Sequence, residues 1–440
     1  MSDRIARAAA LLGDPIVAVA TPRGRGGVGV VRLSGARDQL EPIARRLLGR
    51  SLDRFDRSLR LCAVGDGDRI LDRGLVASFA APRSYTGEHV LELHLHGNPV
   101  ILELVLEASV DAGARLAGPG EFTRRAVLNG RITLLDAEGI DALVRAPSRE
   151  AARVAAQQLD GAFQARLQGW RDELLTVAVA LEARVDFPED IDEDAVAALL
   201  ATLPGVRSTL RELLGTARAS RRLMDGVRVV LTGPTNAGKS TLLNGLLDQD
   251  RALVSPVAGT TRDLVSETVE WEGLAFRLED TAGLRATDDP IEEAGIARSR
   301  AALQRADLVV EVRDARTLAE GAAVPDGTLG VATHGDLADA PDGWLCVDAR
   351  SDVAPVRAAL VAAATEDAAA GEALLHTARQ QQALADAVDA LDEAVSVGDD
   401  EPVLAASAVR AAGRSLEELL GTWTDEAVLD ALFARFCVGK

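Results

Sequence analysis

The sequence predicts a multidomain protein of mixed α/β and α class. In this architecture an N-terminal α+β domain precedes an all-α helical domain, and an α/β domain with a mostly parallel sheet is inserted into the helical one. Two observations predict it. A chain of 440 residues is long enough for several domains with cores of their own, and the spacing of its apolar residues changes three times along the chain. With 48% hydrophobic residues, the composition is typical of an ordinary globular protein.

The first domain is predicted over residues 1–132. Short apolar runs bounded by turn residues predict strands, and the longer stretches between them predict helices. The apolar runs lie at residues 16–20, 28–33 and 90–95, and the helix-like stretches at residues 36–48 and 99–112. Strands and helices in this mixed order are typical of an α+β domain.

Residues 133–222 and 368–440 are rich in Ala, Leu, Glu and Arg with few breakers, which predicts helices. Between them, residues 223–367 switch to strands followed by helices, the pattern of a parallel α/β sheet. Its strands are predicted at residues 227–231, 274–278, 308–312, 329–332 and 344–347. We expect the two helical segments to pack together as one discontinuous domain.

The formal net charge of −20 restricts the partners of the chain. Nucleic-acid binding depends on Lys and Arg that neutralise phosphates, so any role with RNA needs a local basic patch or a basic partner. The three cysteines are far apart and odd in number, which favours a reducing cytoplasm over a disulfide framework. No apolar run has membrane-spanning length and the first residues lack a signal-peptide pattern. We therefore expect a cytoplasmic protein with no membrane partner.

Only two lysines occur in the chain, Lys239 and Lys440. Either codon bias left two by chance, or each marks a place where the wide guanidinium of Arg does not replace a compact ammonium. Lys239 lies in Gly233-Pro-Thr-Asn-Ala-Gly-Lys-Ser240, after a predicted strand and before a predicted helix, which is the context of a P-loop. In such a loop, backbone N–H groups surround the phosphates, the lysine contacts the β- and γ-phosphates and the serine hydroxyl ligates Mg²⁺. The predicted nucleotide contacts of this loop are Asn236, Ala237, Gly238, Lys239, Ser240 and Thr241.

Two further strings complete the pattern of a Ras-like P-loop GTPase domain. Asp280-Thr281-Ala282-Gly283 ends a predicted strand, as a Mg²⁺-linked acidic residue and a γ-phosphate-sensing glycine should. Gly259-Thr-Thr-Arg-Asp263 supplies hydroxyls for a switch around Mg²⁺ and the γ-phosphate. Each string alone fits an ordinary turn, but their order and spacing favour the GTPase interpretation.

The guanine-reading element departs from the usual Asn-Lys-x-Asp. The corresponding string is Thr333-His334-Gly335-Asp336, and a later Ser-Ala-Lys-like element stands as Asp348-Ala-Arg350. Asp336 retains the carboxylate that accepts from guanine N1 and N2. We expect Thr333 and His334 not to reproduce the hydrogen bonds of the asparagine or the stacking stem of the lysine. Guanine preference then rests on the rest of the domain, and a weaker nucleotide affinity is expected.

Further strings span the remaining chain. They are Thr21-Pro-x-Gly-Arg-Gly-Gly-Val-Gly29, Tyr85-Thr-Gly-Glu88, Pro119-Gly-Glu-Phe122, Asp186-Phe-Pro188 and the terminal Cys437-x-Gly-Lys440. Together with the P-loop and Gly-Thr-Thr-Arg-Asp, they resemble the MnmE (TrmE) family of tRNA wobble-uridine modification GTPases over essentially the full length. The resemblance implies an N-terminal tetrahydrofolate-binding domain that also mediates dimerisation, a discontinuous helical domain and an inserted GTPase domain.

The resemblance also implies a reaction and its partners. A K⁺-dependent GTPase homodimer would work with an FAD-dependent subunit of the MnmG (GidA) family, in a heterotetramer-like complex, on C5 of the wobble uridine of certain tRNAs. The product would carry an aminomethyl or carboxymethylaminomethyl group. Its one-carbon unit would come from 5,10-methylene-tetrahydrofolate or a related folate. The resemblance implies GTP as the substrate. It also implies K⁺ and Mg²⁺ bound to this chain and FAD bound to the partner.

Several site residues follow from the resemblance. Ser240 and Thr261 are implied as Mg²⁺ ligands, and Glu292 as the residue that positions the attacking water. Glu293 is the adjacent alternative, and a surface helix with glutamates in its first turn is another interpretation. The implied K⁺ ligands are Asn236, Ser255, Val257 and Thr260. The further nucleotide contacts are Ser255, Pro256, Val257, Ala258, Gly259, Thr260, Thr261, Asp280, Thr281, Ala282, Gly283 and Asp336.

Folate contacts carry over to Arg32, Glu92 and Arg131, and to Lys440 at the C-terminus. A carboxylate suits the N–H edge of a pterin, and basic groups suit a glutamyl tail. Without the resemblance, a solvated Arg32 and a partly exposed strand residue at Glu92 are the simpler interpretation. Cys437 is implied at the modification centre, where Lys440 would favour the thiolate, whereas a lone cysteine is more often inert.

Two other functions stay open. A regulatory GTPase that controls ribosome assembly without chemistry of its own would need neither the folate-like domain nor the Cys-containing tail. A degenerate family member would bind folate and partner but hydrolyse GTP poorly. A metal site at His89, His94 and His96 is a minority interpretation, because His94 and His96 alternate along a strand without a matching ligand set.

Overall fold

A computed structural model of the chain divides into two compact units. One comprises Met1–Asp141 with Leu420–Lys440, and the other comprises Ala142–Leu419. The residues that the structure describes are 13–51, 56–187, 189, 191–248, 266–280, 301–365, 375–398, 400–421 and 426–439. Each unit has its own six-stranded sheet and its own core.

The sheet of the first unit has the strand order β3-β4-β5-β2-β1-β6. Its neighbouring strands are antiparallel except for the short parallel pair β1–β6. The strands are β1 (Ile16–Val19), β2 (Gly26–Gly35), β3 (Leu59–Asp66), β4 (Arg69–Phe79), β5 (His89–Gly97) and β6 (Arg115–Leu116). The strands predicted near residues 16, 28 and 90 are confirmed as β1, β2 and β5.

Helices α1 (Arg37–Leu48) and α2 (Pro99–Asp111) confirm the two predicted helices of this unit. Helix α2 begins where Asn98 accepts a hydrogen bond from the Val100 N–H at 3.0 Å, with a proline in the first turn, where no N–H is needed. Leu40 of α1 and Leu91 of β5 are fully buried in the common core. The helices therefore cover one face of the sheet.

The C-terminal segment completes the first unit. Helices α3 (Glu121–Leu128) and α4 (Leu134–Arg145) lie in the same core cluster as the C-terminal helix Glu426–Phe433. Phe433 and Phe436 are buried, with ring centroids 5.0 Å apart. Gly120 is needed beneath them, because its φ is +62° and a β-carbon there would lie 2.7 Å from that of Phe436.

The second unit contains the predicted parallel sheet, in the order β12-β11-β10-β7-β9-β8. All neighbouring pairs are parallel except β8–β9. The strands are β7 (Val227–Thr232), β8 (Ser266–Trp271), β9 (Leu274–Asp280), β10 (Leu308–Asp314), β11 (Leu329–Thr333) and β12 (Leu345–Cys346). All five predicted strands are present, and β8 is an additional antiparallel edge strand.

Most of the other elements described in the second unit are α-helices. They are α5 (Arg149–Gln158), α6 (Ala162–Asp186), α7 (Glu193–Leu200), α8 (Leu203–Gly215), α9 (Ala217–Asp225), α10 (Lys239–Asp248), α11 (Ala354–Thr365), α12 (Ala378–Val397) and α13 (Pro402–Leu420). Arg211 of α8 donates to Asp392 of α12 at 2.6 Å, so helices from before and after the parallel sheet contact each other. Among the described residues, no helix is both long enough and apolar enough to cross a membrane.

We predict that Phe436→Ala lowers the free energy of unfolding of the first unit by about 3 kcal/mol, because it leaves a cavity beside Phe433. Urea denaturation followed by circular dichroism measures the change. The control is Val438→Ala, whose side chain is 54% exposed, so its effect should stay below about 0.5 kcal/mol. Equal losses for the two variants would contradict this packing.

Candidate functional site

The loop between β7 and α10 packs closely against the ends of β10 and β11. Gly233 has a φ of +131°, and a β-carbon there would lie 2.1 Å from the Val312 carbonyl oxygen. Gly238 has a φ of +86°, and its β-carbon would lie 3.0 Å from the Thr333 hydroxyl oxygen. Both glycines are therefore required by conformation and by space. A strand, a glycine-containing turn and a helix N-terminus in this order form the arrangement that binds phosphate.

Lys239 spans this loop. Its side chain is buried, and Nζ donates to the carbonyl oxygens of Gly233 at 2.9 Å and Pro234 at 2.6 Å. A compact ammonium fits between two carbonyls 5 and 6 residues away along the chain. Of the other predicted contacts in the loop, Asn236 and Thr241 are exposed and Ala237 is buried.

Ser240 of the P-loop and Asp280 at the end of β9 lie close together. The Ser240 hydroxyl donates to Asp280 Oδ2 at 2.9 Å. Strand pairing brings them together, because Leu231 of β7 is in register with Asp280 of β9. A hydroxyl and a carboxylate oxygen at this spacing are the hard ligands that Mg²⁺ prefers, so the residues present fit that ion.

Thr333 connects the guanine-reading string to the P-loop. Its buried hydroxyl donates to the Ala237 carbonyl oxygen at 2.8 Å. This hydrogen bond tethers the guanine-reading string to the P-loop backbone. Gly238 lets the short threonine side chain approach the loop backbone closely. Asp336 follows in an exposed position, where its carboxylate is accessible to a base.

Several predicted site residues lie outside the described residues, and their roles stay predictions. They are Ser255, Pro256, Val257, Ala258, Gly259, Thr260, Thr261, Thr281, Ala282, Gly283, Glu292 with its alternative Glu293, and Lys440.

A second constellation lies on the sheet of the first unit, around Arg32. The Arg32 guanidinium donates from Nε to Glu92 Oε1 at 2.8 Å, and the other Glu92 oxygen is 3.2 Å from His94 Nε2. The Arg32 guanidinium carbon also lies 5.6 Å from the ring centroid of Tyr85 and 5.8 Å from that of Phe122, within cation–π distance. Arg32 and Glu92 are therefore paired rather than separately solvated.

Arg131 contacts the loop that carries Tyr85. Its Nε donates to the Ser84 carbonyl oxygen at 3.2 Å. Gly87 faces its side chain, since a β-carbon at Gly87 would lie 3.0 Å from Arg131 Cγ. The loop 84–87 thus lies between Arg131 and the Arg32 constellation.

The C-terminal tail reaches the same constellation. The Gly439 carbonyl oxygen accepts from Arg32 Nη1 at 3.4 Å, and the Cys437 carbonyl oxygen accepts from the Gly120 N–H at 3.3 Å. Gly439 has a φ of +97°, and a β-carbon there would lie 2.2 Å from the Val19 carbonyl oxygen. The tail is therefore held by its backbone, while the Cys437 side chain remains exposed.

Arg125 is a supporting residue that the sequence reasoning missed. It is 1% exposed, and its guanidinium donates to Glu88 Oε2 at 2.9 Å, to Glu121 Oε1 at 3.1 Å and to the Asp14 carbonyl oxygen at 2.9 Å. Glu88 also accepts from the Ser34 hydroxyl at 2.7 Å. An arginine at a core-facing position of α3 is the only signal that the sequence offers for this network.

The electrostatics of Glu121 follow from the same network. Burial acts to raise the pKa of Glu121, but hydrogen bonds from Arg115 and from the Gly118 N–H outweigh it and hold the pKa below its usual range. A carboxyl whose pKa is lowered on folding stabilises the folded state above its ordinary pKa and loses that contribution as the pH falls. The network is therefore complete at neutral pH and weakens in acid.

Two of the three histidines of β5, His94 and His96, pair with carboxylates. His96 Nδ1 is 2.8 Å from Asp72 Oδ1, and His94 contacts Glu92 as described above. Burial, followed by the charge of Arg37, lowers the pKa of His89. Within the described ranges, no three His, Cys, Asp or Glu side chains gather as a metal-binding group.

These features define a class of multidomain protein that combines a phosphate-binding loop on a parallel sheet, a helical region and a separate α+β unit. Comparison with known proteins is more specific. A family model described as GTP-binding protein TrmE N-terminus matches residues 15–131, and one described as MnmE helical domain matches residues 134–437.

Two relatives extend the match to nearly the whole chain. The tRNA modification GTPase MnmE of Thiobacillus denitrificans is 40% identical over 445 residues, covering 97% of this chain and 98% of that protein. The protein of the same name from Paraburkholderia xenovorans is 39% identical, covering 97% of this chain and 99% of its own. The chain therefore belongs to the MnmE family.

We predict that Arg125→Met lowers the free energy of unfolding by about 3 to 5 kcal/mol, because two carboxylates that are each 14% exposed lose the buried cation that they share. Urea denaturation at neutral pH measures the loss. Arg60→Met is the matched control in the same unit, since Arg60 is 47% exposed and pairs only with Asp56 among the ion pairs described. Its effect should be below about 1 kcal/mol. A small loss for Arg125→Met would contradict a buried network.

Proposed function

We propose that this chain is a GTP hydrolase that acts in tRNA modification. The observation that carries the proposal is the contact of the Ser240 hydroxyl with Asp280 beside the buried Lys239, at the carboxyl edge of the parallel sheet. Family membership supports it, because the relatives at 40% and 39% identity are named tRNA modification GTPases. We propose the domain division 1–132, 133–222 with 368–440, and 223–367, in which residues 420–440 of the helical domain belong to the first compact unit.

The described residues act on the nucleotide through position and charge. The glycine turn lets backbone N–H groups approach the β- and γ-phosphates, and the Lys239 ammonium exchanges its loop carbonyls for phosphate oxygens. Ser240 and Thr261, with Asp280 close to Ser240, would hold Mg²⁺, which would supply neutralising charge to the phosphates. Asp336 accepts from guanine N1 and N2, and the tether from Thr333 keeps this element next to the loop.

The proposed hydrolytic step uses groups at the rim of the loop. Asn236 is exposed with a φ of +62° at the tip of the P-loop, a position from which its amide oxygen is able to ligate K⁺. With Ser255, Val257 and Thr260, it would hold an ion that offsets charge developing on the transferring phosphoryl group. Glu292, or its neighbour Glu293, orients the attacking water, which carries its oxygen to the γ-phosphorus as the bond to GDP breaks.

The Arg32 constellation supports a folate site. Glu92 offers a carboxylate for an N–H edge, and Arg131 with Lys440 offers positive charge for a glutamyl tail. The tail contact between Gly439 and Arg32 supports a place for Cys437 beside this site. We propose that 5,10-methylene-tetrahydrofolate or a related folate binds there and supplies the one-carbon unit for C5 of the wobble uridine.

An exposed apolar face and the net charge of the chain support two kinds of partner. Leu59 and Leu61 of β3 are 60% and 75% exposed, on the face of the sheet that α1 and α2 leave uncovered. This apolar face supports a homodimer through the first unit. With a net charge of −20, the chain depends on an FAD-dependent MnmG (GidA) family subunit for most of the basic tRNA surface. Three free cysteines support a cytoplasmic location.

We predict that GTP hydrolysis by the purified chain is at least about tenfold faster in KCl than in NaCl of equal ionic strength, because K⁺ stabilises transition-state charge. Phosphate release at saturating GTP measures the rates. Lys239→Ala is the control and should lose activity in both salts. Equal rates in the two salts would contradict the K⁺ mechanism. Wild-type rates as low as those of Lys239→Ala would contradict the proposed GTP hydrolysis.

We predict that Cys437→Ser abolishes tRNA modification in a reaction reconstituted with the FAD-dependent subunit, while GTP hydrolysis stays within about twofold of wild type. The reason is that Cys437 lies in the first unit, two residues before the Gly439 that contacts Arg32, and the P-loop lies in the second unit. Nucleoside mass analysis and phosphate release measure the two activities. Cys62→Ser is the matched control and should retain both. Full modification by Cys437→Ser would refute a role for this thiol.

A further inference from the structure

The net negative charge of the chain belongs entirely to the second compact unit. The first unit, Met1–Asp141 with Leu420–Lys440, contains 21 Lys and Arg residues and 21 Asp and Glu residues, so its formal net charge is zero. Subtracting these from the 48 and 68 of the whole chain leaves 27 against 47, which accounts for the full −20. A surface that attracts a polyanion is therefore more readily formed on the first unit.

A cavity of about 150 Å³ lies beside the C-terminal end of α1 in this unit. It is lined by residues that follow α1 and by residues of β3 and β4. The polar part of the lining comprises Arg50, Ser51, Ser58, Arg60 and Ser78. Guanidinium and hydroxyl groups are the side-chain donors that commonly contact phosphate oxygens. The lining therefore has the chemistry of a phosphate-binding site.

The cavity lies on the opposite face of the sheet from the Arg32 constellation. Leu59 is in register with Ala77, Ala77 with Glu92, and Glu92 with Arg32, so these side chains share one face. Arg60 is the next residue along β3 and lies on the other face, because successive side chains of a strand alternate. A ligand in the cavity would therefore leave the proposed folate site and the proposed dimer face free.

Arg50 is an exposed cation at the cavity. Its Nη2 donates to Cys62 Sγ at 2.9 Å, and a thiol sulfur is a weak acceptor. Among the residues that the structure describes, no carboxylate pairs with Arg50. The contact with Cys62 positions the guanidinium but uses only one of its five N–H donors. The remaining donors are available to a ligand.

Arg57 is a second exposed cation, held beside the cavity by its backbone. Its N–H donates to the carbonyl oxygen of Ser78, which lines the cavity, at 2.9 Å, and its Nη2 donates to the Arg83 carbonyl oxygen at 2.6 Å. Its φ is +60°, a conformation that arginine seldom adopts. Backbone strain of this kind concentrates at ligand contacts. In the described part of the chain, Arg57 also has no carboxylate partner.

The charges around the cavity leave an excess of cations. Arg60 pairs with Asp56, and Arg45 lies 3.6 Å from Glu41 while it donates to the Ser51 hydroxyl at 2.9 Å. With the two arginines that lack carboxylate partners, four guanidinium groups face two carboxylates. The described residues therefore give this surface a net charge of about +2, in a chain whose net charge is −20.

We propose that this arginine surface, defined by Arg45, Arg50, Arg57 and Arg60 with the cavity between them, binds the phosphate backbone of the tRNA. The inference rests on the proposed function, in which tRNA is the substrate, and it names the part of this chain that contacts the RNA. Guanidinium and hydroxyl donors bind the oxygens of one phosphate in the cavity, and the neighbouring guanidinium groups contact adjacent phosphates. Such contacts position the RNA without reading its sequence.

The test is the dissociation constant of fluorescently labelled tRNA for the full-length chain, measured by anisotropy in KCl between about 20 and 200 mM. We expect Arg50→Gln and Arg57→Gln each to bind roughly fivefold more weakly, and to reduce the slope of log affinity against log salt by about 1. Arg50→Lys keeps the charge and should keep the slope. The matched control is Arg153→Gln, which removes the same charge from a side chain of the second unit that is 56% exposed. It should keep both the affinity and the slope.

The outcomes separate this inference from the proposed function. Wild-type affinity and slope in both Gln variants, or no tRNA binding by the wild-type chain at the lowest salt, would overturn the arginine surface while the proposed function stands. Thermal stabilisation by inorganic phosphate that Arg50→Gln loses, with its tRNA affinity unchanged, would indicate a small-anion site and would also overturn the RNA contact. Expected slopes combined with unchanged wobble nucleosides in cells without the chain would contradict the proposed function and retain the surface. Thermal melting checks that each variant keeps its fold.

Discussion

The register of the parallel sheet in the second unit is the constraint on which the nucleotide site depends. Thr232 of β7 is in register with Glu311 of β10, and Asp314 of β10 with Thr333 of β11. Because parallel strands end at the same edge, the groups that follow them converge there. The P-loop, Asp280 and the base-reading string are separate in sequence. The pairing of their strands brings them together at one edge of the sheet.

The Arg32 constellation depends on a different kind of constraint, the close approach of backbone segments. Gly439 passes over the Val19 carbonyl, and Gly120 lies under Phe436, at distances that exclude any β-carbon. These contacts hold the tail by its main chain, which leaves the Cys437 thiol exposed. A tail fixed in this way keeps its thiol exposed without relying on side-chain packing.

Much of this fold could be predicted from the sequence, but its networks could not. Short apolar runs predicted β1, β2, β5 and the parallel strands, because apolar side chains are stable when they are buried in the core of a sheet. Strands β3 and β4 were missed, since charged residues such as Arg60, Asp72 and Arg73 interrupt their apolar pattern. The contact of Arg125 with Glu88 spans 37 residues, and the tether from Thr333 to Ala237 spans 96. Neither contact is predictable from the local sequence, because strand register and loop packing bring the two partners of each contact together.

The most direct test of the account is mass analysis of wobble nucleosides in tRNA from cells that lack this chain. We predict that the aminomethyl-type groups at C5 of the wobble uridine disappear in these cells. They should return when the wild-type chain is supplied and stay absent with Lys239→Ala, because a nucleotide site without its buried ammonium does not drive the reaction. An unchanged nucleoside profile in cells without the chain would contradict the assignment to tRNA modification.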